Sequence, residues 1–246
     1  LIEALHPESR ISNSGIIKPK STGTIAAGEL SVFIDRDAHR NGLIALLVDL
    51  YDCRPEGILW ENRTKKRGVE QLLNNCVNLI AGSAPEYLRI SLPQDEIGGG
   101  FTARTILVFQ EKPEKRVPFP EFSAEHERMK DRLIEDLWHI SQLRGSVSLS
   151  PEAKRWYEEW YIKRDLDNTP YGLKPYFVKK SEHLIAIAIL LLVAEKDDLI
   201  LDLVHLKAAL DILEQNEILM PKAIEGIIEA PQGLDTYKVL EVIQEM

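Results

Sequence analysis

Cysteine is nearly absent: the chain has two, Cys53 and Cys76, in 246 residues. That number excludes a disulfide framework, and the spacing matches no metal-ligand pattern. Both are expected to act as small apolar residues in a reducing, cytoplasmic setting. Long apolar runs are missing too. The longest, Leu184 to Ala194, spans eleven residues, where a helix needs about 20 to cross a bilayer. It reads as a buried helix, and no membrane contact is expected. Positive charge is in deficit, with 30 Lys and Arg against 39 Asp and Glu and a net charge of −9. Such a chain does not bind nucleic acid with its whole surface, so any contact of that kind must be focal. Fixed-period repeats, low-complexity tracts and a charged-then-apolar leader are lacking. The opening Leu1-Ile2-Glu3-Ala4-Leu5 starts inside a helical pattern, as a fragment would.

What is present is enough apolar material, 44% of residues, for one large core or two modest ones. Residues 1–22 read as a short helix and a polar loop or hairpin. Thr24 to Leu30 is a run of small apolar residues ending in Gly28-Glu29, the pattern of a buried strand. Leu43, Leu46, Leu47 and Leu50 recur at helical spacing and predict a helix over 42–51. A basic loop, Trp60 to Gly68, precedes a second strand at 76–81. A short helix near Pro85, a Gly98-Gly99-Gly100 turn and a third strand at 105–109 follow. Strands alternating with helical crossovers predict an α/β parallel sheet over 1–111. Lys112-Pro113 and Val117-Pro118-Phe119-Pro120 lie in a stiff linker, 112–122. From 123 to 246 the pattern is helical, with helices expected at 123–143, 150–166, 177–195, 203–217, 221–229 and 234–245. Ser123, Ser150-Pro151-Glu152 and Ser181 supply start signals.

The chemistry starts from Glu29. Strand ends of an open parallel sheet converge on the ligand crevice, and a carboxylate held there can serve a phosphate-transfer site. The competing reading is a solvated glutamate. The order of features adds weight: a strand ending in a carboxylate, a basic segment, a strand ending in Gly82-Ser83, and a glycine turn leading to Arg104.

Here the chain resembles a known family. Ile25-Ala26-Ala27-Gly28-Glu29-Leu30-Ser31, Asn41-Gly42-Leu43-Ile44 with Asp49-Leu50-Tyr51-Asp52, Arg63-Thr64-Lys65-Lys66-Arg67-Gly68, Cys76-Val77-Asn78-Leu79-Ile80-Ala81-Gly82-Ser83-Ala84-Pro85-Glu86 and Gly98-Gly99-Gly100-Phe101-Thr102-Ala103-Arg104 are similar to phage and mobile-element replication proteins. These are helicase-like P-loop ATPases of the primase-helicase and virulence-associated-E type, with an AAA+ core. The similarity continues through Ser150-Pro151-Glu152-Ala153, Trp156-Tyr157 and Trp160-Tyr161.

The resemblance implies a partial P-loop sheet, AAA+ or RecA-like, followed by an all-helical region. It implies an ATPase and DNA helicase acting in DNA replication as part of a longer chain, with ATP and Mg2+ as cofactors there. Glu29 resembles the Walker B glutamate that orients the attacking water, although Gly28 stands where an aspartate would help hold magnesium. Ser83 matches the sensor residue, and Asn78 joins it as a nucleotide-site residue; for Ser83 the alternative is an ordinary turn serine. Arg104 resembles an arginine finger acting on a neighbouring subunit, against the alternative of a structural ion pair. Arg63, Lys65, Lys66 and Arg67 fall where ring helicases carry a pore hairpin that grips phosphates without reading bases. The alternative there is solvated surface. The implied partners are single-stranded DNA in a ring pore and further copies of the chain in a hexamer. A rival function is an ATPase-derived scaffold for oligomerisation or DNA docking.

Three remaining features carry less. Gly98-Gly99-Gly100 is no phosphate loop, because no Gly-Lys-Ser/Thr follows. Asp35, Asp37 and His39 could suggest a metal-dependent nuclease, but adjacent polar residues in one loop need partners from other elements. Trp156, Tyr157, Trp160 and Tyr161 line one helix flank and read as core, with base stacking as the minor use.

Overall fold

The computed structural model describes residues 11–12, 15–16, 21–34, 42–53, 58–64, 68–85, 87–88, 92, 99–112, 115–119, 121–170 and 172–227. The elements are β1 (Ile11–Ser12), β2 (Gly15–Ile16), β3 (Thr22–Ala27), α1 (Leu30–Phe33), α2 (Leu43–Tyr51), β4 (Ile58–Thr64), β5 (Gly68–Leu73), β6 (Cys76–Ala81), α3 (Gly100–Ala103), α4 (Ala124–Ile140), β7 (Ser148–Leu149), α5 (Pro151–Lys163), α6 (Lys174–Glu195), β8 (Ile200–Leu201), α7 (Leu203–Glu217) and α8 (Met220–Ile227). The fold is mixed α/β. It divides into two compact units, one of Leu1–Ile106 with Ile224–Met246 and one of Leu107–Ala223.

In the first unit β3 and β6 pair in parallel, from Thr22 opposite Cys76 to Ala27 opposite Ala81. Parallel strands need a crossover to bring the chain back to the same end, and α2 supplies it. Gly42 adopts the left-handed φ of 73° that turns the chain into α2, a conformation open to glycine at little cost. Leu47 and Leu50 are buried on one helix face. Leu50, Leu72 and Val77 form a core against which Ile25 and Leu46 pack. Each fully buried leucine contributes about 2 kcal/mol. The opposite face of the sheet, with Thr22, Thr24, Ala26, Cys76, Asn78 and Ile80, is exposed. Burial on both faces was the sequence expectation for β3; one face is covered.

Between α2 and β6 the chain makes an antiparallel ribbon, β4 with β5, where Arg63 lies opposite Val69. The expected basic loop over 60–68 is therefore largely strand, in keeping with the β-prone Ile58, Trp60 and Val69 that flank the charges. The ribbon's base is tied down through Ser21, which is buried. Its N–H donates to Leu73 O at 2.7 Å, and its Oγ accepts from Leu73 N at 3.0 Å.

The expected third strand is not formed: residues 105–110 have no regular structure. A strand exists by sharing its peptide groups with a neighbouring strand. Here the Leu107 carbonyl instead accepts from Asn216 Nδ2 at 3.1 Å.

The second unit is helical. Along α6, Lys180, Leu184, Ala188 and Leu192 recur every four residues and are buried, as are Leu206, Ala209 and Leu213 on α7. The two stripes meet to form the core. Ser150 caps α5 by accepting from Ala153 N, with Pro151 in the first turn, as its sequence signal indicates. Ser181 does not start a helix. α6 begins at Lys174 with proline in its first turn, and Ser181 is buried inside it. The aromatics of α5 make a ladder rather than a closed core. Trp156 stacks on Trp160 at 6.2 Å, Tyr157 lies tilted against Tyr161 at 6.1 Å, and the Arg164 guanidinium lies 4.1 Å over the Tyr161 ring. Among the described residues no helix is long and apolar enough to cross a membrane.

Candidate functional site

The two strand ends of the parallel pair rise together. Gly82 N donates to Ala27 O at 3.1 Å, and Leu30 N donates to Gly82 O at 2.8 Å. These bonds carry the pairing past the last ladder residues and set Gly28-Glu29 beside Gly82-Ser83. The approach is close: a Cβ on Gly82 would lie 3.0 Å from the Gly28 carbonyl oxygen. A side chain at 82 would force the Gly28 peptide to give by a few tenths of an ångström. Around Gly28 nothing lies within 4 Å of where a Cβ would stand, so its position opens onto free volume.

This pairing brings Glu29 and Ser83 into contact across 54 residues of sequence, with Ser83 Oγ donating to Glu29 Oε1 at 2.8 Å. Ser31 N also donates to Oε1, at 3.3 Å, and Glu29 caps α1. The Ser83 hydroxyl is the first cause, and the Ser31 backbone a further one, of a Glu29 carboxyl held below its ordinary value. Glu29 is therefore ionised throughout the neutral range, with one oxygen fixed. A fixed, solvent-reached carboxylate at paired parallel strand ends can orient a water or stand beside a phosphate.

Asn78 is not part of this arrangement. It lies mid-strand opposite Thr24, exposed on the face away from α2. Arg104 is also elsewhere, at the C-cap of α3. Its Nε and Nη2 bind Asp52 Oδ1 and Oδ2 at 2.8 and 3.0 Å, Nη1 donates to Gly100 O at 3.2 Å, and the guanidinium lies over Tyr51. Asp52 ends α2. That end is fastened to the start of β6 by Asn75, whose Nδ2 donates to Leu50 O at 2.7 Å. Arg104 therefore sits at the strands' N-terminal end, whereas Glu29 and Ser83 lie past their C-terminal ends. A six-residue strand separates these levels by about 17 to 20 Å.

The ribbon of β4 and β5 leaves from the same end as Arg104, between the end of α2 and the start of β6. Of the basic set, Arg63 is placed on β4 by its backbone; Lys65, Lys66 and Arg67 lie outside the described residues, as do Asp35, Asp37 and His39. Among the described residues no group of His, Cys, Asp or Glu is arranged to hold a metal ion.

Sequence reasoning gave no role to Asp52, Asn75 or Ser21. Each acts through a partner far along the chain, and no local pattern marks such residues. Compared with known proteins, the chain matches no family model, no curated protein and no solved structure.

Proposed function

We propose that the first unit is part of a nucleotide-hydrolysing, ring-forming DNA motor of a phage, plasmid or integrated element, acting in replication within a longer protein. One observation carries the reading: the Glu29–Ser83 hydrogen bond at the C-terminal ends of adjacent parallel strands. In this role Glu29 orients the water that attacks the γ-phosphate. Ser83 fixes Oε1 and leaves Oε2 to face that water. Magnesium binds ATPase sites through one or two carboxylates together with phosphate oxygens. Glu29 is one such group, and the space beside Gly28 lacks a second. In this reading the P-loop lysine and hydroxyl belong to the longer parent protein.

Arg104 fits a finger that serves a neighbouring copy, because it sits at the far end of the strands from its own chain's Glu29. Arg63, Lys65, Lys66 and Arg67, on or beside the ribbon of β4 and β5, fit an arm that holds single-stranded DNA in the pore of a hexamer. The test is DNA-stimulated ATP hydrolysis by the full-length protein. Glu29→Gln and Arg104→Ala should each lower the rate by at least about a hundredfold; unchanged rates in both discard the motor.

The second reading is a scaffold derived from such an ATPase, used for oligomerisation or DNA docking. The bidentate Arg104–Asp52 pair inside one chain favours it, together with glycine at position 28. In that case full-length protein binds DNA or self-associates without hydrolysing ATP.

A further inference from the structure

We propose that α4 pairs antiparallel with the α4 of a second copy of this chain, about a two-fold axis. No residue of α4 is buried. Yet it carries two apolar rows: Met129, Leu133 and Leu137 at four-residue spacing, and Ile134 with Trp138 beside them, each more than half exposed. A helix in water is held mainly by the packing of such a face. Here the helix is fixed at both ends while the face is bare. At its start Ser123 and His126 form a capping box; at its end His139 Nε2 and Asp197 Oδ2 lie 2.9 Å apart. Phe119 and Phe122, both strongly exposed, extend the apolar surface ahead of the cap.

The charges select the occupant. α4 carries three cations against five carboxylates, the wrong balance for an anionic lipid surface, which basic amphipathic helices bind. The cations, Arg128, Lys130 and Arg132, all stand before Leu133, among three of the carboxylates; the other two, Glu135 and Asp136, stand after it. Two parallel copies in register set that acidic pair level with itself. Two antiparallel copies crossing near Leu133 set it level with the cations instead. Met129 then faces Leu137 of the second copy, and Leu133 meets its own counterpart. Arg132 and Asp136, one turn apart, share one flank of the apolar rows. A two-fold axis brings that flank against itself, so Arg132 of each copy comes level with Asp136 of the other. The five apolar side chains of each copy, on the order of 100 Å² apiece, amount to roughly 1,000 Å² covered in the pair, the lower bound of a specific interface.

The test is sedimentation equilibrium of the 246-residue chain at 0.15 M salt, where the repulsion of two copies of net charge −9 is screened beyond about 8 Å. A dimer with a Kd of about 1–100 µM is expected. Leu133→Asp should weaken it at least about tenfold, with circular dichroism unchanged because nothing in α4 is buried. Arg132→Asp and Asp136→Arg should each weaken it about tenfold by setting like charges across the crossing. An equimolar mixture of those two variants should regain the strength of the unaltered chain, because each mixed pair again joins opposite charges. A chain that stays monomeric at about 100 µM overturns the proposal, as does an oligomer that Leu133→Asp leaves intact or a mixture no tighter than its components. The pairing needs no nucleotide and lies outside the first unit. Self-association through the first unit alone, as in a ring, would ignore Leu133→Asp, so failure here and failure of the motor are told apart.

Discussion

Glu29 and Ser83 are two side chains whose meaning lies in one hydrogen bond of 2.8 Å. Because that bond stabilises the carboxylate, Ser83→Ala should raise the Glu29 pKa toward its ordinary 4.5, read by pH titration of the side-chain carboxyl resonance in NMR. The sign for stability follows: a lowered native pKa stabilises the fold above the ordinary value, and the benefit is lost as pH falls through the native one. The two glycines beside them part ways. Gly82→Ala sets a Cβ against the Gly28 carbonyl and should cost about 1–3 kcal/mol in urea unfolding, whereas Gly28→Asp enters open space and should leave stability within about 0.5 kcal/mol. Glu29 was legible as a candidate because an apolar run ends on it. Its bond to Ser83 was not, because it depends on which strands pair and in what register.

At the scale of elements, α2 is the hinge of the first unit's construction. It packs on the sheet through Leu46 and Leu50, receives Asn75, and offers Asp52 to Arg104. The Asp52 and Arg104 side chains are 20% and 16% exposed, so their bidentate pair is more than a surface contact. A double-mutant cycle with Asp52→Ala and Arg104→Ala should give a coupling of about 1–2 kcal/mol by chemical denaturation. Zero coupling would mean that the pair is incidental. In the second unit, Glu217 accepts from Tyr176 Oη at 3.1 Å and from Lys180 Nζ at 2.7 Å, and burial followed by this carboxylate raises the Tyr176 phenol. Removing the anion leaves the buried Lys180 with only the exposed Glu214 carboxylate, at 3.9 Å, so Glu217→Gln should destabilise the unit by about 2 kcal/mol, seen as a lower urea midpoint with an unchanged slope. The helices themselves were readable from spacing and caps; 203–217 matches α7 end to end. The start of α6 was missed because Ser181 mimics a cap while Pro175 opens the helix seven residues after the turn at Asn168.

At the scale of the molecule, a net charge of −9 means that the DNA contact proposed above must be focal, carried by the basic set Arg63, Lys65, Lys66 and Arg67. Lys65→Ala with Lys66→Ala should lower the salt slope of single-stranded DNA binding by roughly 1.4, about 0.7 per lost phosphate contact, in fluorescence titrations of full-length protein. An unaltered slope removes these lysines from the interface. By itself the sequence determined the local matters: where apolar runs and helical stripes lie, which residues can cap, and that a carboxylate follows the first strand. These depend on neighbours within a few positions. Only the tertiary structure decided that β3 pairs with β6, that 105–110 forms no strand, that Arg104 is held by Asp52, and that Ser83 meets Glu29. Those contacts join residues dozens of positions apart, and packing and strand register, which no local pattern encodes, select among them.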